Sequence, residues 1–397
     1  MRPCLRTISS ALSVTALSVG LLAGVPPATA ADGPVPHASP EHADHRPPTT
    51  RQKKVRLKVR TVTRGLQHAW DVQQAPGGRL LVTERDRARI CVVRKGTRRR
   101  LANLSKMVWV SGETGLMSMA VDRQRRILWA CHGYVGSGGP ELRVTRWQVD
   151  ARWRRISSPR AVVTGIDASS GRHGGCRLLL DRDSDALYVG TGDAATSCNP
   201  RNLDSLAGKV LRVHSMTGAA MPGNPFAVAG GRRALVWTYG HRNVQGLAQR
   251  ADGSVWSVEH GSYRDDEVNR LVPGGDYGWD PGPGYDESVP MTDQSLPGKQ
   301  VEAAWSSGQP TLATSGAAWV RGKGWGPLAG TLAVAALKAS RVLFIRFDAD
   351  GRLKWVRAPA ALRRLGRIRS VTSTPSGALL LTTDNGERDR VVRVTPR

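Results

Sequence analysis

Apolar residues along this chain come in short runs, alternating or continuous, bounded by turn-forming Gly, Pro, Asp and Ser. The runs recur in pairs. The leading member of each pair reads RLLVTER (Arg79–Arg85), RILWACHG (Arg126–Gly133), ALYVGTGD (Ala186–Asp193), SVWSVEHG (Ser254–Gly261), TLAVAALK (Thr331–Lys338) or ALLLTTDNG (Ala378–Gly386). Its partner reads RICVVRK (Arg89–Lys95), LRVTRWQV (Leu142–Val149), KVLRV (Lys209–Val213), EVNRLV (Glu267–Val272), RVLFIRF (Arg341–Phe347) or RVVRV (Arg390–Val394). A period of roughly fifty to seventy residues suits one four-stranded blade with its loops. Six such units over 55–397 predict an all-β, six-bladed β-propeller. A helical repeat would need apolar faces of helical period over about ten residues or more, and the chain shows none. The alternating segment Val55–Val62 is placed to pair with the last unit and close the ring.

The first residues do not fit this pattern. Arg2 and Arg6 precede a mostly apolar or small stretch from Ile8 to Val25, and Ala28-Thr29-Ala30 is an A-x-A cleavage pattern. Residues 1–30 therefore read as a secretory signal peptide and 31–54, rich in Pro and His, as a disordered linker. The mature protein is expected to be secreted, acting outside the cytoplasmic membrane, with no transmembrane segment. Cys91, Cys131, Cys176 and Cys198 remain after cleavage, an even number suited to disulfides, and no C-x-x-C spacing points to zinc. Three pairings are open. Cys176 with Cys198 is favoured because the two flank one predicted hairpin, which leaves Cys91 with Cys131.

The formal charge is +26, carried mostly by scattered Arg. No basic helix or aromatic-basic strand accompanies it, so nucleic acid is not the expected partner, whereas anionic cell-wall polymers are compatible with it. Monomer and dimer both stay open.

The densest chemistry lies between Tyr239 and Asp280, where His241, Arg242, Asn243, Gln245, Glu259, His260, Asp265, Asp266, Glu267 and Tyr277 are interleaved with glycines. Cations, amides, carboxylates and a phenol together suit an anionic organic ligand held beside a hard metal ion. Polar residues also end the leading runs, at Glu84, His132, Asp193, Glu259-His260, Lys338 and Asp384-Asn385, and in a propeller such ends gather at one mouth of the channel.

The segments GLQHAWDVQQAPGGRLLVTER (Gly65–Arg85), GRHGGCRLLL (Gly171–Leu180), YVGTGD (Tyr188–Asp193), LDSLAGKVLRV (Leu203–Val213), YGHRNVQGLA (Tyr239–Ala248), EHG…DEVN…YGW and GRIRSV (Gly366–Val371) occur in this order. In them the chain resembles the soluble pyrroloquinoline-quinone-dependent sugar dehydrogenases, the glucose/sorbosone dehydrogenase-like family. The resemblance covers nearly the whole mature chain. It implies a propeller that binds pyrroloquinoline quinone (PQQ) and Ca2+ at one end and oxidises an aldose at C1 to the lactone, passing electrons to an external acceptor.

By that resemblance, His173 is the base and Asp193 its orienting carboxylate. Arg242, Asn243 and Gln245 form the H-R-N-x-Q pattern at the quinone oxygens, and Lys338, Arg367 and Arg369 hold its carboxylates. Spacing agrees for the last two, since residues two apart on a strand face one side. Gly261 and Ser262 match the carbonyl pair facing the ion nearest the quinone, and Glu267 and Tyr277 match the acidic and phenolic metal positions. The chain has Val244 and Ser262 where the pattern carries Pro, and Ser370 where Asp is usual. Two further classes compete with this reading. One is a non-catalytic sugar- or cell-wall-binding propeller, and the other a calcium-dependent lactonase, which would need channel-facing carboxylates where this chain places Arg and Lys.

Overall fold

The computed structural model describes residues 55–397; the expected signal peptide and linker lie outside them. These residues form six four-stranded sheets, a six-bladed β-propeller. The final blade is composite. Its outer strand, Leu57–Leu66, pairs antiparallel with Asp389–Pro396, from Leu57 opposite Pro396 to Leu66 opposite Asp389. The segment read as the ring closure thus closes it.

The leading run of each pair is the second strand of its blade, not the innermost. The innermost strands are Ala69–Ala75, Leu116–Asp122, Gly175–Leu180, Val244–Gln249, Thr314–Trp319 and Ile368–Ser373, and each touches its counterparts in both neighbouring blades. Burial alone does not set them apart, since second strands such as Ala186–Thr191 are as fully buried as Val244–Gln249; they escape because buried polar and small residues, such as Gln245 and Gly246, break their apolar runs. Outer strands show the opposite character: in Thr97–Asn103 only Leu101 is buried.

Burial is organised between blades. Six apolar clusters each fill the space between one blade and the next, with Trp129, Trp256 and Phe344 fully buried among them. Removing one such Trp side chain would cost about 3–5 kcal/mol in transfer and cavity terms.

One covalent tie crosses such a boundary. Cys131, on the second strand of blade 2, bonds Cys176, on the innermost strand of blade 3, and Cys91 is a free, buried thiol. The pairings favoured from the sequence, Cys176 with Cys198 and Cys91 with Cys131, are therefore corrected. Proximity along a hairpin suggested them, whereas the bond follows proximity between blades. Among the described residues, no helix is long and apolar enough to cross a membrane.

Candidate functional site

The innermost strands begin at one mouth of the channel, around a cavity of about 310 Å³. Its walls include Trp70 and Arg85 from blade 1, Glu113 before blade 2, Asn243, Gln245 and His260 from blade 4, and Arg367 and Arg369 from blade 6.

His173 lies beside this cavity and is 3% exposed. It sits just before the innermost strand of blade 3 with φ at 47°, a left-handed conformation that costs a non-glycine residue. Two contacts hold the backbone there. Its N–H donates to Glu113 Oε2 at 3.0 Å, and Gly192 lets the His173 carbonyl approach where a Cβ would collide with it. The ring is fixed as well. Nδ1 lies 2.9 Å from Asp193 Oδ1 and 2.8 Å from the Tyr285 hydroxyl, and Nε2 lies 3.2 Å from an Arg242 Nη2. A guanidinium only donates, so Nε2 is the accepting nitrogen and Nδ1 carries the proton.

Asp193 is saturated with donors. Oδ2 accepts from Trp279 Nε1 at 2.7 Å and from the Tyr285 hydroxyl at 2.8 Å, while Oδ1 accepts from the Ala195 N–H at 2.8 Å. Burial and the neighbouring Asp193 raise the Tyr285 phenol far above its ordinary value, which keeps it a proton donor. Beneath this loop, Lys209 is fully buried and donates to the carbonyls of Asn199, Pro200 and Ala207 at 2.6–2.9 Å. Burial lowers its ammonium to about 7, against the pull of Asp193 and Asp276.

Arg242 crosses between the two. Its Nη1 donates to the His260 carbonyl at 3.0 Å and its Nη2 to Glu287 at 2.5 Å, while its buried Nε has no partner. Burial, then Arg242 and His173, push the His260 imidazole down to about 3, so it stays neutral in the wall.

Across the cavity, Arg367 stands just before the innermost strand of blade 6 and Arg369 near its start, where the register with the next strand breaks. Arg369 is held by Asp384 Oδ2, through Nε at 3.0 Å and Nη2 at 2.6 Å, and touches Gln245 Oε1 at 3.3 Å. His68 Nδ1 meets the other Asp384 oxygen at 2.7 Å. Burial would raise the Asp384 carboxyl, but Arg369 and His68 outweigh it and hold it well below the usual carboxylate range. Gln245 donates to Asn243 Oδ1 at 3.0 Å, and the same oxygen accepts the Gly175 N–H at 3.0 Å. Lys338 follows Leu337, which lines the cavity, and its side chain is exposed.

The residues expected to meet a metal fall into two groups. Gly261 and Ser262 follow His260 in one turn, where the Ser262 Oγ is buried without a partner and the Gly261 N–H donates to Asp266 at 3.0 Å. Glu267 faces Glu259 across the strand pair and is bonded by Asn269 at 3.2 Å and Thr292 at 3.0 Å. Burial and Glu259 raise its carboxyl to about 8. The Tyr277 ring stacks on His241 at 4.6 Å, and its hydroxyl is engaged with Arg270 O at 2.7 Å and the Val272 N–H at 3.0 Å. The phenol is thus committed to the blade, leaving the backbone carbonyl as its group for a cation. His68, Asp384 and Asp389 also bring three ligand-type atoms within 4.8 Å, but Arg369, Thr383 and the Asn385 N–H already bond these carboxylates.

A glucose/sorbosone dehydrogenase family profile matches residues 66–393. The chain belongs to that family. The aldose sugar dehydrogenase of Escherichia coli is 27% identical over 360 residues, spanning 86% of this chain and 93% of that protein. Among solved structures, a glucose dehydrogenase-type oxidoreductase from Thermus thermophilus is 32% identical with a TM-score of 0.72, covering 85% of this chain and all of its own (100%). The PQQ-bound aldose sugar dehydrogenase of Streptomyces coelicolor is 27% identical with a TM-score of 0.71, covering 87% of this chain and 99% of its own.

Within this glucose/sorbosone dehydrogenase scaffold, the sequence reading missed the groups that hold its chosen residues. Tyr285, Glu287 and Trp279 lie in the excursion between Arg270 and Trp305, where no strand periodicity marks them. Of the polar strand ends, Glu84 and His132 stay inside their blades, Glu84 accepting the Gln67 N–H at 3.0 Å and His132 bonding Thr145 at 2.9 Å. The presence of Ser370 in place of the usual Asp was a clue that Arg369 needs another anion; Asp384 on the adjacent strand is that anion.

Proposed function

We propose that this family member is a secreted, PQQ- and calcium-dependent dehydrogenase that oxidises an aldose at C1 to the lactone. The observation that carries the proposal is the fixed tautomer of His173, with Asp193 on one nitrogen and a donor-only guanidinium on the other. Hydride leaves C1 only as the C1 hydroxyl gives up its proton, and Nε2 holds the lone pair that takes it. Asp193, bonded by Trp279 and Tyr285, then stabilises the imidazolium. Bound here, the quinone would supply the hydride acceptor, and reoxidation would fall to an external acceptor.

The residues present fit that group. Arg367, Arg369 and Lys338 offer cations to its carboxylates, and Arg forks suit them best. Asn243 and Gln245 supply amides, and the unpartnered Nε of Arg242 is a donor in reserve at the cavity edge. For calcium, the two groups offer oxygens of the required hardness, the carbonyls of Gly261 and Ser262 in one and the Tyr277 carbonyl with the Glu267 carboxylate in the other.

The test is a titration of purified protein with PQQ and calcium, followed by absorbance, and then an aldose panel with a redox dye. Saturable quinone binding and aldose-dependent dye reduction are expected. Calcium-loaded protein that neither binds quinone nor reduces dye with any aldose contradicts the proposal.

A further inference from the structure

The innermost strands lead from the cavity described above to a second one at the opposite mouth. Trp70 lines the first and Gln73 and Gln74 the second; Gln245 lines the first and Gln249 the second; Arg369 the first and Ser373 the second. The second cavity measures about 380 Å³, enough for a small polar ligand.

Its walls are cationic by construction. Arg123, Arg182 and Arg321 each come within two residues of the end of an innermost strand, in blades 2, 3 and 5, and all three line the cavity. Arg182 and Arg321 each stand two residues past their strands and Arg123 one, so three blades each bring an Arg to one cavity. Arg182 is preorganised: its Nε and its N–H both bond Gln249 Oε1, at 3.0 and 3.1 Å, and its Nη2 donates to the Gln249 and Arg250 carbonyls, which leaves Nη1 for a ligand. The Arg321 guanidinium is pushed below its ordinary value, first by burial and then by the neighbouring Arg182.

Arg177 forms part of the floor and is 5% exposed. One of its nitrogens, Nη2, is buried without a partner, and so is Oε1 of Gln74. Asp71 is the carboxylate in this lining, and it is already engaged by Arg177 at 3.2 Å, Ser118 at 2.8 Å and the Met119 N–H at 3.1 Å. In the adjoining groove, Asp185 pairs with Arg125 at 2.5 Å and Asp181 accepts from Gln249 at 3.4 Å. Four arginines thus face one neutralised aspartate, and the lining offers amides besides.

We propose that the mouth opposite the dehydrogenase site is an anion-binding site for a multivalent oxyanion of the phosphate class, held by Arg123, Arg182 and Arg321. Guanidinium forks match phosphate oxygens in pairs, and an oxyanion between three cations relieves their mutual repulsion. The site does not depend on the proposed quinone chemistry, since no residue of that site takes part in it.

The experiment is calorimetric titration of the mature protein with diphosphate, orthophosphate and glucose 6-phosphate in about 0.15 M salt, which screens the diffuse surface charge. Diphosphate binding at one site is expected, weakened at least about tenfold by the double variant Arg123→Gln/Arg321→Gln, each lost charge-assisted bond costing about 1.5–3 kcal/mol. Arg100→Gln, an exposed change on the outer strand of blade 1, is expected to leave it unaltered. Tighter binding of glucose 6-phosphate with the same mutational loss also supports the proposal and assigns a phosphorylated sugar as the source. Absence of binding to the parent, equal affinity in the double variant, or equal weakening by Arg100→Gln overturns it.

Discussion

On one side of the dehydrogenase cavity, blades 3 and 4 enclose His173 and Arg242 until each is 3% exposed, beneath the excursion that carries Tyr285 and Glu287. On the other, blade 6 presents Arg367 and Arg369 at the start of its innermost strand, and blade 5 leaves Lys338 exposed. The first side has nearly every bond of its key groups specified, while the second relies on strand position and one carboxylate. The difference matches what the proposed function asks of each side. A base must hold one lone pair in one place, which takes donors on all sides. A clamp for carboxylates needs charge and reach, which long Arg side chains at a strand's start supply.

Asp193→Asn attacks the enclosed side directly. The amide donates where the carboxylate accepts, so the His173 tautomer is no longer fixed. Dye reduction is expected to fall roughly 10²- to 10⁴-fold with quinone affinity nearly unchanged. A loss of binding equal to the loss of turnover would show that the two sides are one unit.

The Cys131–Cys176 bond ties the strand that follows His173 to blade 2. Replacing both residues by Ala should lower stability by about 2–4 kcal/mol, read from denaturant unfolding. The enclosed side should suffer more than the open one, with turnover at elevated temperature failing before quinone binding does.

Arg369→Gln tests the open side. Quinone affinity is expected to fall about 10- to 100-fold, the worth of charge-assisted hydrogen bonds, while turnover at saturating quinone stays near the parent value. A large fall in saturated turnover would place Arg369 in the chemistry and not only in the clamp.

Asp384→Asn gives the smallest effect and a pH signature. The folded state holds this carboxyl below its unfolded value, so the folded protein binds fewer protons in the interval between the two. Its stabilisation, roughly 1–2 kcal/mol, is full above about pH 4 and lost as pH falls toward the folded value. The variant should therefore be less stable than the parent at pH 6, and the gap should close toward pH 2.5 in urea unfolding series.

The same contrast marks how much was legible in the sequence. Regular elements were readable: second and third strands are apolar runs that recur in pairs, so the blade count and the ring closure by Val55–Val62 followed. The innermost strands were not, because buried polar and small residues, such as Gln245 and Gly246 in Val244–Gln249, break their apolar runs. Of the candidate residues that came through motifs, Asn243, Gln245, Arg367 and Arg369 line the cavity, whereas the groups that support the candidates carried no signal in the sequence. Tyr285 and Glu287 sit in an aperiodic excursion, and Asp384 reaches Arg369 only through pairing between strands. The disulfide shows the limit plainly. Cys131 and Cys176 are 45 residues apart in sequence and meet across a blade boundary that no local pattern announces.

The most direct test replaces the base and leaves the rest of the cavity intact. His173→Asn protein loaded with PQQ and calcium is compared with the parent for quinone affinity and for aldose-dependent dye reduction. The expected result is affinity within about twofold and turnover reduced by roughly 10² or more. Equal dye reduction by the variant and the parent would contradict the assignment of His173, and with it the enclosed side as the seat of the chemistry.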